Sequence, residues 1–138
     1  MNKRIKSYFN IAREISKLSD FNGPHIGAVV VEGKTIISTG YNSKKTRPLQ
    51  ERANHYRNFD HPERSIPMQH AEIGAISPLI GKEIDWSNVS IYVYREYKDG
   101  NRACCRPCAG CMKIIKDLGI KKIYYIDELG NFAIEKTL

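Results

Sequence analysis

Two short segments far apart in the chain constrain its fold more than any other feature: His70-Ala71-Glu72 and Arg106-Pro107-Cys108-Ala109-Gly110-Cys111. Cys108 and Cys111 have the C-x-x-C spacing of a metal clamp. Proline is favoured at the first helical position, where its missing N–H would be unpaired anyway. The spacing therefore predicts a helix with both cysteines in its first turn, three residues apart on one face. The positive end of such a helix favours thiolates, the form of cysteine that binds zinc. His70 supplies a third ligand and leaves a fourth position for water, as in a catalytic rather than a structural zinc site. Cys105-Arg106-Pro107-Cys108 is also C-x-x-C, but Pro107 would interrupt that pair, so Cys108 and Cys111 are preferred.

The 138 residues are long enough for one domain with a real core, and residues 1–138 are read as one. The net charge of +7, from 22 basic and 15 acidic side chains, suits phosphorylated ligands or nucleic acid. A solvated basic surface accounts for it equally well. No stretch is long and apolar enough to span a membrane, and the N-terminus lacks a signal-peptide core, so a cytoplasmic location follows by default. The four cysteines cluster at Cys104, Cys105, Cys108 and Cys111. In a chain with no export signal, such clustering favours metal binding or free thiols over disulfides.

In chain order, Ile5, Tyr8, Phe9, Ala12, Ile15 and Leu18 recur at spacings of three and four, which predicts an amphipathic helix over 3–18, ending before Asn22-Gly23-Pro24. A buried strand is expected over His25–Glu32, a turn at Glu32-Gly33-Lys34 and a returning strand over Thr35–Gly40. Residues 41–67 form a long polar loop of the kind usually functional or disordered, with a short helix expected around Leu49–Phe59. A helix starts near Met68, carries His70 and Glu72, and is limited or kinked by Pro78. Val89–Tyr94 reads as a strand. The cysteine helix follows, with Gly119 as its C-terminal cap. Ile120–Asp127 and Phe132–Ile134 are the last strands. Strands separated by helices normally run parallel, whereas Glu128–Asn131 is too short for a helical crossover and predicts an antiparallel last strand.

These motifs and their order resemble the cytidine deaminase-like superfamily over about residues 26–126. The H-x-E and P-C-x-x-C pair is the signature of zinc deaminases. The resemblance implies an α/β, three-layer fold with a mixed five-stranded sheet and helices on both faces. It implies Zn2+ held by His70, Cys108 and Cys111, with Glu72 moving protons between water and a base. Small Ala71 lets the motif pack close to the ring. Asn42 matches the family position at the end of the second strand and is a candidate sugar or base contact, its amide offering donor and acceptor. Lys44, Lys45 and Arg47 are candidate phosphate contacts. Tyr94 and Arg95 end the third strand, where open α/β sheets place ligands, and Tyr94 is the candidate substrate contact.

Gly40-Tyr41-Asn42 and Gly119-Ile120-Lys121-Lys122-Ile123 look like the deoxycytidylate deaminase branch, while the antiparallel ending looks like the free-cytidine branch. The expected activity is hydrolytic deamination of a cytosine nucleoside or nucleotide, with a dCMP-like substrate favoured and ammonia released. The alternatives are a base in single-stranded DNA or RNA, with Tyr56 and Phe59 available for stacking, or a purine. A zinc-stabilised binding module is the reading outside enzymology, and Glu72 argues against it, because a structural site needs no proton shuttle. The resemblance also implies a homo-oligomer. His55 or His61 with Cys104 and Cys105 could hold a second metal, although no regular spacing links them. His25 is expected to be a core or helix-end histidine.

Overall fold

The computed structural model describes residues 2–45, 48–55 and 69–137. Its elements are α1 (Lys3–Ser16), β1 (Ile26–Glu32), β2 (Thr35–Tyr41), α2 (Pro48–Asn54), α3 (Ala71–Ile76), β3 (Val89–Arg95), α4 (Ala109–Leu118), β4 (Lys122–Ile126) and β5 (Phe132–Lys136). The strands form one sheet in the order β2-β1-β3-β4-β5. β1 is antiparallel to both β2 and β3, β3 is parallel to β4, and β5 is antiparallel to β4. The sheet is therefore mixed and five-stranded, and its last strand returns antiparallel, as the four-residue gap requires.

One face of the sheet carries α1. Tyr8, Phe9 and Ala12 are buried on it. Phe9 meets Tyr92 edge-on with ring centroids 5.4 Å apart, and Tyr92 stacks on Tyr124 at 4.3 Å. The other face carries α3 and α4, and α2 packs outside them through a cluster of Ala53, Ile73, Cys111 and Ile114. Two glycines on adjacent strands set how closely the helices approach. A Cβ on Gly27 would lie 2.0 Å from the Ala12 carbonyl oxygen of α1, and one on Gly40 would lie 2.3 Å from the Ala75 nitrogen of α3. Since Ala28 pairs with Gly40 across the sheet, Gly27 and Gly40 open opposite faces.

Several boundaries differ from those expected. α1 stops at Ser16, which is buried under the close approach to Gly27, and Leu18 is left 60% exposed. His25 lies outside β1, is exposed, and pairs with the Phe21 carbonyl oxygen at 2.8 Å. α3 begins at Ala71 rather than near Met68, and Pro78 lies in the one-turn 3-10 helix that follows it. Pro107 precedes α4 rather than opening it: Cys108 is the N-cap and Ala109 the first helical residue. Gly119 caps α4 in the left-handed conformation, as expected. The expected helix around Leu49–Phe59 is seen as Pro48–Asn54, and residues 56–59 lie outside the described residues, as do Arg47 and His61.

Candidate active site

His70 and Cys108 occupy equivalent places, each the N-cap of a short helix. α3 and α4 thus point two helix N-termini at one spot, where partial positive charge favours anionic ligands. The His70 Nδ1 lies 3.6 Å from the Cys108 Sγ and 3.2 Å from the Cys111 Sγ. All three ligand atoms fall within 4.8 Å of one another, and this is the group able to hold a metal ion among the described residues. Zinc–sulfur bonds of about 2.3 Å and zinc–nitrogen bonds of about 2.0 Å put tetrahedral ligand atoms roughly 3.5–3.8 Å apart. The 3.6 Å separation matches and the 3.2 Å one is slightly short, so the His70–Cys108–Cys111 set suits zinc in chemistry and nearly in size.

The two thiols are shifted in opposite directions by their contact with each other. A hydrogen bond from Cys111, supported by His70, pulls the Cys108 thiol down to about 3 against the opposing effect of burial. The same hydrogen bond, with burial, pushes Cys111 well above the ordinary thiol range. Glu72, the second residue of α3, is buried. Burial raises its carboxyl above the ordinary range, His70 partly opposes that, and Cys108 reinforces it. A carboxyl held up by burial in a cleft is suited to accepting and returning a proton.

Backbone contacts lock this cluster. Ser43 and Gln69 exchange two backbone hydrogen bonds, of 2.9 and 2.8 Å, which tie the segment before His70 to the end of β2. Gln50 of α2 is fully buried; its Oε1 accepts from the His70 N–H at 2.8 Å, and its Nε2 donates to Asn54. On the other side, the Cys105 N–H donates to the Ile126 carbonyl oxygen, and the Cys105 Sγ donates to that of Val93. Cys105 therefore clips the chain to the ends of β3 and β4 just before the clamp. Burial raises its thiol to about 12, which keeps it in the thiol form. All four cysteines are free, and among the described residues Cys104, Cys105 and His55 join no metal-ligand group.

A cavity of about 170 Å3 opens beside Glu72; its walls include Ile26, Asn42, Arg95, Arg106 and Cys105 together with the candidate metal ligands His70 and Cys108. Asn42 is thus at the cavity, but its amide already accepts from the Ile26 N–H at 2.9 Å and donates to the Pro24 carbonyl oxygen at 2.6 Å. Ala71 is buried at the start of α3 and does not line the cavity. Lys44 and Lys45 are exposed and do not line it either. Tyr94 is also absent from it: the ring is buried in the core on the α1 side, and its hydroxyl donates to Glu96 at 2.7 Å. Side chains alternate along β3, so Arg95, one residue on, faces the cavity instead. Gln50 gave no sequence signal beyond a polar residue in a short helix, and Arg95 needed only the strand's parity.

Gln50→Leu removes the side-chain oxygen that accepts from the His70 N–H, a half-buried bond whose loss should cost about 0.5–1.5 kcal/mol. Zinc affinity should fall roughly 10–100-fold, the usual effect of removing a group that orients a ligand. Competition with a chromogenic chelator measures it; unchanged affinity would assign Gln50 to packing alone.

A family model described as the cytidine and deoxycytidylate deaminase zinc-binding region matches residues 2–127. The structure resembles a cytidine deaminase from Burkholderia pseudomallei at 14% identity, covering 99% of this chain and 93% of that one, with a TM-score of 0.64. It also resembles a dCMP deaminase from the cyanophage S-TIM5. The apo form of that enzyme is 23% identical over 93% of this chain and 86% of that one, with a TM-score of 0.62. The form in complex with dCMP and dUMP is 26% identical over 93% and 85%, with a TM-score of 0.61. No curated protein sequence matches the chain.

Proposed function

Because the chain belongs to the cytidine and deoxycytidylate deaminase family, a family of zinc-dependent hydrolases, we propose that it deaminates the cytosine of a nucleotide such as dCMP. The observation that carries this reading is the convergence of His70, Cys108 and Cys111 beside a buried carboxylate that is not a fourth ligand of the set. A purely structural zinc site would normally close with four protein ligands. The preference for a monophosphate is supported by the net charge of +7 and by Arg95 on the cavity wall.

His70, Cys108 and Cys111 hold the metal, which when bound supplies the Lewis acidity that makes water nucleophilic near neutral pH. Glu72 takes a proton from the attacking water and delivers it to the ring nitrogen of the base. The oxygen bonds to the carbon bearing the amino group; Glu72 then takes the second proton from that oxygen and gives it to the amino nitrogen, so that the C=O bond forms, the C–N bond breaks and ammonia leaves. The product is the corresponding uracil compound. The helix ends that carry His70 and Cys108 orient the site, and the Gln50 and Cys105 contacts keep both ends fixed. By resemblance to its family the chain acts as a homo-oligomer, and a cytoplasmic location stays the default reading. No helix among the described residues is long and apolar enough to cross a membrane.

An ammonia-release screen over cytidine, deoxycytidine, their phosphates, adenosine, guanine and single-stranded oligonucleotides tests the reading. Release from deoxycytidine or dCMP, with dCMP the better substrate, is the expected outcome. Release confined to a purine or to oligonucleotides would overturn it.

A further inference from the structure

A second cavity, of about 390 Å3, adjoins the one that holds Glu72. It lies between the end of α1, the segment before β1 and the segment after β3, and its walls include Lys17, His25, Arg95, Glu96 and Lys98. Among the described residues, Arg95 alone lines both cavities.

The bonding of Arg95 is incomplete. One Nη donates to the Cys104 carbonyl oxygen at 3.3 Å, while the buried Nε has no partner. No carboxylate among the described residues forms an ion pair with it. Arg106, the other arginine on the Glu72 cavity, is the opposite case: its Nε and Nη2 each donate to Glu135 at 2.9 Å. The carboxylate of the second cavity is also engaged. Glu96 Oε2 accepts from Arg13 at 3.1 Å and from Tyr94 at 2.7 Å. Arg95 also lies over the Tyr97 ring, 5.8 Å from its centroid, so among the described residues the junction between the cavities presents a cation with a donor to spare and no carboxylate partner.

We propose that Arg95 is the phosphate-binding residue of the site, seating the phosphoryl group of a nucleotide at the mouth of the second cavity while the base lies at Glu72. A guanidinium suits this role because its planar fork matches phosphate oxygens two at a time. The base end of the assignment rests on the function proposed above, whereas the phosphoryl contact stands on the Arg95 geometry itself. It also replaces Lys44 and Lys45, which lie off both cavities.

Calorimetry on the zinc-loaded protein tests it, with inorganic phosphate, deoxyuridine and dUMP titrated at constant ionic strength. The wild type should bind phosphate saturably and dUMP roughly 10–100-fold tighter than deoxyuridine. Arg95→Ala should abolish phosphate binding and bring dUMP to the level of deoxyuridine, while Lys122→Ala, an exposed charge lost elsewhere, should not. If Arg95→Ala does not fold, Arg95→Lys carries the same test and should weaken phosphate binding at least several-fold by losing the fork. Phosphate affinity unchanged in either Arg95 variant, or absent from the wild type, overturns the assignment. Phosphate binding through Arg95 in a protein that deaminates no cytosine compound would instead remove the proposed substrate and leave the anion site. Deamination without any preference for dCMP would do the reverse.

Discussion

Glu72→Gln should lower deamination by roughly 10²–10⁴-fold or more while the protein keeps one equivalent of zinc. The substitution is nearly isosteric in a buried place, so the cavity wall and the packing of α3 stay as they are. What changes is the ability to take a proton at one oxygen and give it back, which an amide lacks at neutral pH. Metal content should be unaffected because, among the described residues, the group placed to hold a metal is His70, Cys108 and Cys111, without Glu72. Parallel measurement of turnover and zinc stoichiometry checks this. Zinc lost along with activity would make Glu72 part of the metal site, and activity retained would remove it from the mechanism.

Cys108→Ser should separate metal binding from folding. Cys108 is the N-cap of α4 and makes no side-chain capping bond. Serine is among the best N-cap residues, so the metal-free variant should match metal-free wild type within about 1 kcal/mol or exceed it. Zinc tells the two apart. At a free concentration 100 times its dissociation constant, zinc adds about 2.7 kcal/mol to a protein that binds it only when folded. The wild type should show this gain in chemical denaturation, and Cys108→Ser should lose most of it at the same zinc concentration. A variant that gains as much as the wild type would show that the clamp is built from other residues.

The metal site was legible in the sequence because metal chemistry restricts both residue type and spacing. His70, Cys108 and Cys111 converge as their pattern implies. α1 was legible because Tyr8, Phe9 and Ala12 follow the helical period, and the direction of β5 because four residues cannot cross a sheet. Missed features depend on contacts between distant segments. Pro107 lies outside α4 because Cys105 is tied to Ile126, which fixes where the chain can turn into the helix. Gln50 acts on His70 across 20 residues of chain, and no local pattern encodes that reach. Choosing between Tyr94 and Arg95 required knowing which face of β3 looks toward α3 and α4, and that parity is set by the pairing of Arg95 with Ile26.

Ammonia release from dCMP by zinc-depleted protein, followed before and after restoring one equivalent of zinc, reaches the central claim in one experiment. The expected record is no release without the metal and full release once His70, Cys108 and Cys111 are loaded. Release that continues undiminished in the depleted protein, or that never begins in the loaded one, would contradict it.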